Sequence, residues 1–380
     1  MLADLARPVV LPAAKFPKSS NLNLPTPFSA APPDEPQGRS PDSGSEVPQA
    51  PEPPPKHQIA VLKGHQRAVW SVAFSPDGQQ IATAGSDGTA RLWNLGGDEL
   101  AQLVGHERAV WSVAFSPDGQ QIATAGADGT ARLWNLDGDE LATFSGGDRA
   151  MWDVAFSPSR QQIATASTDG TARLWNLDGR ELAVFRGHER AVWSVAFSPN
   201  GQRLATTSAD GTARLWNLSG RQLAVLRGHD RAVWSVAFSP DGQRLATTGA
   251  DGTARLWNLL GQPLATFSGH SRAVWDVAFS PDGQRLATAS TDGTARLWNL
   301  DGSLIETFEL ETLEGHRRAL WSVAFSPDGQ RLATAGADGT ARIWELPNFT
   351  TPDAPQVVTL SAIAPSSVEN FQIAPNSPEK

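Results

Sequence analysis

Residues 105–146 read "GHERAVWSVAFSPDGQQIATAGADGTARLWNLDGDELATFSG". The stretch is written in the grammar of short antiparallel strands. "AVWSVAFS" (109–116) is rich in β-branched and aromatic residues, and "PDG" (117–119) puts Pro and Gly in turn positions. "QQIATAG" (120–126) reads as a second strand. "ADGT" (127–130) is a tight Asp-Gly hairpin turn. "ARLWNL" (131–136) and "ELATFSG" (140–146), separated by another turn, complete four strands. One such sheet cannot bury both of its faces, so the unit needs copies of itself.

The copies are present. The Gly-His step, or its variant Gly-Gly, begins at Gly64, Gly105, Gly146, Gly187, Gly228, Gly269 and Gly315. The spacing is 41 residues five times and then 46. All 14 Trp belong to the repeat, two in each. Seven four-stranded units packed face to face around an axis bury their faces and leave few exposed edges. The expected fold is therefore all-β, a seven-bladed propeller of four-stranded antiparallel blades.

On Gly-His, "SPDG", "DGT" and the closing Trp at fixed offsets, residues 57–346 resemble the WD-repeat (WD-40) family. Six repeats end in Trp-Asn and the last in Trp344-Glu345, where the family name has Trp-Asp. The near identity of the copies is most similar to bacterial arrays, notably cyanobacterial ones. The resemblance implies that the sequence repeat is offset from the blade, so that blade seven takes its fourth strand from elsewhere. "HQIAVLKG" (57–64) is the expected donor, and "QVVTLSAI" (356–363) is its rival.

Family resemblance also implies a four-residue relay within each blade. The matching sets are His65, Thr83, Asp87 and Trp93; His106, Thr124, Asp128 and Trp134; His188, Thr206, Asp210 and Trp216. They continue with His229, Thr247, Asp251 and Trp257; His270, Thr288, Asp292 and Trp298; and His316, Thr334, Asp338 and Trp344. The chemistry is self-consistent: an indole N–H donates to Thr, Thr donates to an imidazole nitrogen, and the other imidazole N–H meets a carboxylate. Repeat three has Thr165, Asp169 and Trp175 but Gly147 in place of His. Either the copy has drifted, or a notch frees Asp169 for a ligand. Drift is the favoured reading.

A His-Thr-Asp set repeated around a ring lacks the single convergent geometry of a nucleophilic site. No P-loop, dinucleotide fingerprint or metal-ligand cluster appears, and Cys is absent. The expectation is a non-enzymatic protein with no catalytic residue, cofactor or metal.

Binding is expected at the rim. The resemblance puts Arg67, Arg108, Arg149, Arg190, Arg231, Arg272 and Arg318 around one face. It places Trp70, Trp111, Trp152, Trp193, Trp234, Trp275 and Trp321 at the channel mouth. Trp and Arg dominate binding hot spots. The competing reading packs each Trp between blades and pairs each Arg with Asp98, Glu107, Asp139, Glu140, Asp148, Glu189 or Asp230. Repeats three and six also share Asp153 and Asp276 where the others have Ser, together with "STDG" turns; either an Asp–Thr or Asp–Ser hydrogen bond links the two across neighbouring strands, or a block three repeats long has been copied, since "ATFSG" (142–146, 265–269) travels with it.

Residues 1–56 hold half of the 28 prolines, and 347–380 are similar in texture. Both read as flexible tails. The net charge is -9, and the repeat region holds 31 acidic against 25 basic residues, which disfavours nucleic acid. No apolar run is long enough to span a membrane. The sequence thus points to a cytoplasmic scaffold that binds proteins or peptides at the Arg/Trp rim, monomeric within a larger complex. The alternative is a regulatory or sensor module recruited through its Pro-rich tail.

Overall fold

The computed structural model describes residues 58–146, 149–159, 161–308, 316 and 319–346. Among them lie 28 strands in seven four-stranded antiparallel sheets, as the repeat predicts. Strand β1 (Gln58–Lys63) precedes blade one, which is β2 (Val69–Phe74), β3 (Gln80–Gly85), β4 (Thr89–Asn94) and β5 (Glu99–Val104), paired in that order. Blades two to six repeat this arrangement.

Blade seven supplies three strands, Leu320–Phe325, Arg331–Gly336 and Thr340–Glu345, and β1 is its fourth. The two ends of the ring are joined by an antiparallel ladder running from Gln58 opposite Trp344 to Lys63 opposite Thr340. Leu62 is buried there, and Arg342 Nη1 donates to Gln58 Oε1 at 2.6 Å. N-terminal closure is the arrangement formed. The rival segment, 356–363, lies outside the described residues.

The core lies at the seams between blades. At the first seam Ala82, Ala84 and Leu92 of blade one pack against Val110, Val113, Ile122 and Trp134 of blade two. Each other seam has a cluster of the same kind. The "DGT" turn of one blade also supports the entry loop of the next. A Cβ on Gly88 would lie 3.3 Å from the Arg108 carbonyl oxygen, and its φ of 85° is one that glycine adopts without strain.

One departure from strand alternation shapes the axis. In β2 the register slips between Val69 and Ser71, so Trp70 is an extra, bulged residue. The same slip recurs in every inner strand. A bulge sets two consecutive residues against one on the partner strand. Trp70 and Ser71 therefore both line the axial chamber, as do their six counterparts.

Candidate functional site

The six complete relays are closed. His65 Nε2 lies 2.8 Å from Thr83 Oγ1, His65 Nδ1 3.0 Å from Asp87, and Trp93 Nε1 donates to Thr83 Oγ1 at 2.8 Å. The other five sets have every link between 2.7 and 3.0 Å. Nδ1 facing a carboxylate carries the proton, so Nε2 accepts from the threonine hydroxyl. Burial is the largest single influence on Asp87 and opposes its charge. The hydrogen bond and charge of His65, with the Thr89 hydroxyl, outweigh it and hold the carboxyl well below the usual range. His316 is shifted down because burial disfavours the imidazolium, although Asp338 pulls the other way. These are structural ties, buried within each blade.

Blade three departs from the relay of the other six. Gly147 lies outside the described residues, but Asp169 is not free. Arg173 Nη2 donates to it at 2.7 Å and the Thr171 hydroxyl at 2.7 Å. The matching arginines 91, 132, 214 and 342 stay 3.6–3.9 Å from their aspartates. Arg173 thus takes the partner that histidine holds elsewhere. Met151 adds a second compensation. It stands where five blades have Val and blade seven has Leu, is fully buried, and sets its methyl against Gly146.

The third-strand arginines were not singled out by the sequence reading. Arg91 and Arg132 pair with Glu99 and Glu140 at 2.5 Å. The unvarying "TAR" before each closing Trp was the available signal. The second pair also uses one of the acids expected to meet the rim arginines, Glu140. Arg67, Arg108, Arg149, Arg190, Arg231 and Arg272 are all exposed, and none forms an ion pair among the described residues. Arg318 and Asp148 lie outside the described residues.

The seven inner tryptophans meet each other. Successive ring centroids are 4.8, 4.6, 4.6, 5.2, 4.2, 4.9 and 4.8 Å apart from Trp70 round to Trp321 and back. Seven centroids so close describe a circle roughly 5 Å in radius, and rings in contact at about 3.5–4 Å leave little passage at its centre. The indoles therefore pack across seams and also line the axis. Trp70 Nε1 donates to Ser86 Oγ at 2.5 Å and Trp152 Nε1 to Thr168 Oγ1 at 3.1 Å. Blades two, four and five have Ala127, Ala209 and Ala250 at that turn position, and the buried N–H groups of Trp111, Trp193 and Trp234 have no acceptor among the described residues, nor has that of Trp275, although blade six carries Thr291 there.

Beneath the indoles is a chamber of about 120 Å³ lined by the seven Trp, five Ser, Asp153 and Asp276. The expected bonding of these aspartates within their own blade is not what forms. Asp153 Oδ1 accepts from Ser112 Oγ of blade two at 2.7 Å, and Oδ2 from the Val195 N–H of blade four at 2.9 Å. Asp276 does the same with Ser235 at 2.8 Å and Val323 at 3.0 Å. No group among the described residues could form a metal cluster, and no described helix is long and apolar enough to cross a membrane.

The family comparisons agree with this geometry. The family described as the IFT122 first beta-propeller matches residues 55–299, and the WD domain, G-beta repeat matches 308–345. Curated relatives match over about one repeat. Striatin-4 of Homo sapiens is 53% identical over 34 residues, 9% of this chain and 4% of that protein. Eukaryotic translation initiation factor 3 subunit I of Aspergillus niger is 45% identical over 38 residues, 10% of this chain and 11% of that one. A probable cytosolic iron-sulfur protein assembly protein CIAO1 homolog of Nematostella vectensis is 47% identical over 38 residues, 10% of this chain and 12% of that one. The chain thus spans only a small fraction of these relatives' lengths. With seven closed blades and a family match over more than half its length, the chain belongs to the WD-repeat β-propeller family, in the group of the IFT122 first beta-propeller.

Proposed function

We propose that this protein is a non-enzymatic scaffold that binds protein or peptide segments on the face carrying the arginines and the indole ring. The observation that carries the reading is the rim itself. Six guanidinium groups are exposed without an ion-pair partner among the described residues, around seven contacting indoles. Unpaired arginines cost nothing to redirect toward a partner's carboxylates or carbonyls, and a preorganised aromatic platform loses little entropy on contact. WD-repeat propellers are typically interaction scaffolds, which supports the same reading. In it the propeller acts as a monomer within a larger cytoplasmic complex.

The test is quantitative affinity capture with the full chain against a variant carrying Arg67, Arg190 and Arg272 changed to Glu. All three side chains are exposed, so the variant should still unfold cooperatively at the wild-type temperature. Loss of the specific partners supports the rim. Their persistence assigns recognition to the blade sides or the tails.

A further inference from the structure

The seven inner-strand residues below the indoles form a belt: Ser71, Ser112, Asp153, Ser194, Ser235, Asp276 and Ser322. Each aspartate spans two seams. Asp153 takes Ser112 from one side and Val195 N–H from the other, also takes the Val154 N–H at 2.9 Å, and has the Ser194 hydroxyl as a further donor. Asp276 is bound in the same way by Ser235, Val323, Val277 and Ser322. One carboxylate therefore consumes three belt positions. Seven positions seat two such sets, blades two to four and five to seven, and leave Ser71 over. On either side of Ser71 the belt bonds among the described residues are long. Val72 N–H reaches Ser322 Oγ at 3.4 Å, and Val113 N–H reaches Ser71 Oγ at 3.4 Å.

The indole ring follows the same blocks. Its two stacked pairs are Trp111–Trp152 at 19° and Trp234–Trp275 at 15°, directly beside the Ser112–Asp153 and Ser235–Asp276 bonds. The next pair in each block is edge-on, Trp152–Trp193 at 83° and Trp275–Trp321 at 87°. The next are tilted, at 45° and 38°. Near-identical repeats would give a regular ring. The three-blade pattern tracks the aspartates.

Neither carboxylate has a counter-charge among the described residues. The strands packed on the inner strand of blade three contribute Ser112, Ser194 and alanines to it. Their one basic residue, Arg132, is engaged with Glu140 on the outer side. Around Asp276, Arg244 and Arg285 pair with Asp241 and Asp282. Arg255 lies on the third strand of blade five, matching Arg132. The chamber lining holds no Lys, Arg or His. Burial without a counter-charge favours the protonated carboxyl, and the hydrogen bonds it accepts work against that.

We propose that Asp153 and Asp276 are two proton-sensitive clasps, each locking three blades and setting the stacking of the indoles above it. Burial pushes Asp153 up to about 6 and Asp276 above the usual carboxylate range, with the hydrogen bonds opposing in both. With the folded pKa above the unfolded value of 3.8, the clasp's contribution is fully present below 3.8 and is lost as pH rises through about 6. The indole rim should therefore be tightest in mild acid.

The experiment is a near-ultraviolet circular dichroism titration of the full chain from pH 7.5 to 4.5. It compares wild type with Asp153→Ser, Asp276→Ser and the double variant. Ser is the residue five other blades carry at this position, so the fold accepts it. The expected result is an indole signal that titrates in wild type, falls by about half in each single variant and is absent in the double. Blade-resolved hydrogen exchange is the second readout. After correction for intrinsic rates, protection of blades two to four should rise about tenfold from pH 7.5 to 5, relative to blade one, and Asp153→Ser should abolish only that rise. A flat wild-type titration, a titration that survives in the double variant, or a rise equal in all blades would overturn the proposal.

Discussion

Thr206 and Thr165 occupy the same place in blades four and three, and comparing them measures what the histidine does. Thr206 is fully buried, with Trp216 Nε1 donating to its hydroxyl at 2.9 Å and the hydroxyl donating to His188 Nε2 at 2.8 Å. Thr206→Val keeps the shape and deletes both links. It orphans a buried indole N–H and a buried imidazole nitrogen, at about 1–3 kcal/mol each. The expected cost is therefore roughly 2–6 kcal/mol. Thr165→Val orphans the Trp175 indole, which donates at 2.9 Å, but no histidine, because Gly147 stands in that position. Its cost should be about 1–3 kcal/mol. The assay is calorimetric unfolding of both variants beside wild type in one buffer. Thr206→Val should melt lower, and the gap between the variants is the histidine link. Equal costs would refute the relay as a stabilising chain and leave the indole–threonine bond as its only productive part.

Gly147→His should raise the melting temperature, and more so with Met151→Val, because Met151 fills space beside Gly146 that valine leaves open; calorimetry of the single and double variants shows whether the gains couple. Ala209→Ser should supply the acceptor that Trp193 lacks, as Ser86 does for Trp70, and stabilise by about 1 kcal/mol in urea unfolding. Deleting residues 57–63 should lower the melting temperature markedly, since it removes β1 from blade seven; an unchanged melt would count against this closure. Asp210 is held below its ordinary pKa of 3.8: burial opposes this, but His188 and Thr212 outweigh it. Its stabilisation is thus complete above 3.8 and lost as pH falls through the folded value. The stability gap between wild type and Asp210→Asn should shrink from pH 6 to pH 3 in urea unfolding.

The repeat, the four strands per blade and the hairpin turns could be read from the sequence, and the six relays from the family resemblance it carries. Each is local or recurs at a fixed offset: a "DGT" turn determines its own hairpin, and His65, Thr83, Asp87 and Trp93 lie within one blade. Alternation along a strand did not foretell the axial chamber. Only the bulge at Trp70 brings an indole and a serine to the same side, and a bulge is a feature of strand pairing that alternation along one strand does not record. The rim arginines had nearby acids in sequence, but one of these, Glu140, is taken by the third-strand Arg132 of its own blade. The sequence marked Asp153 as unusual without saying what it touches. Its partners, Ser112 and Val195, are 41 and 42 residues away on neighbouring blades, and closing seven twisted sheets into a ring is what brings them within hydrogen-bond reach.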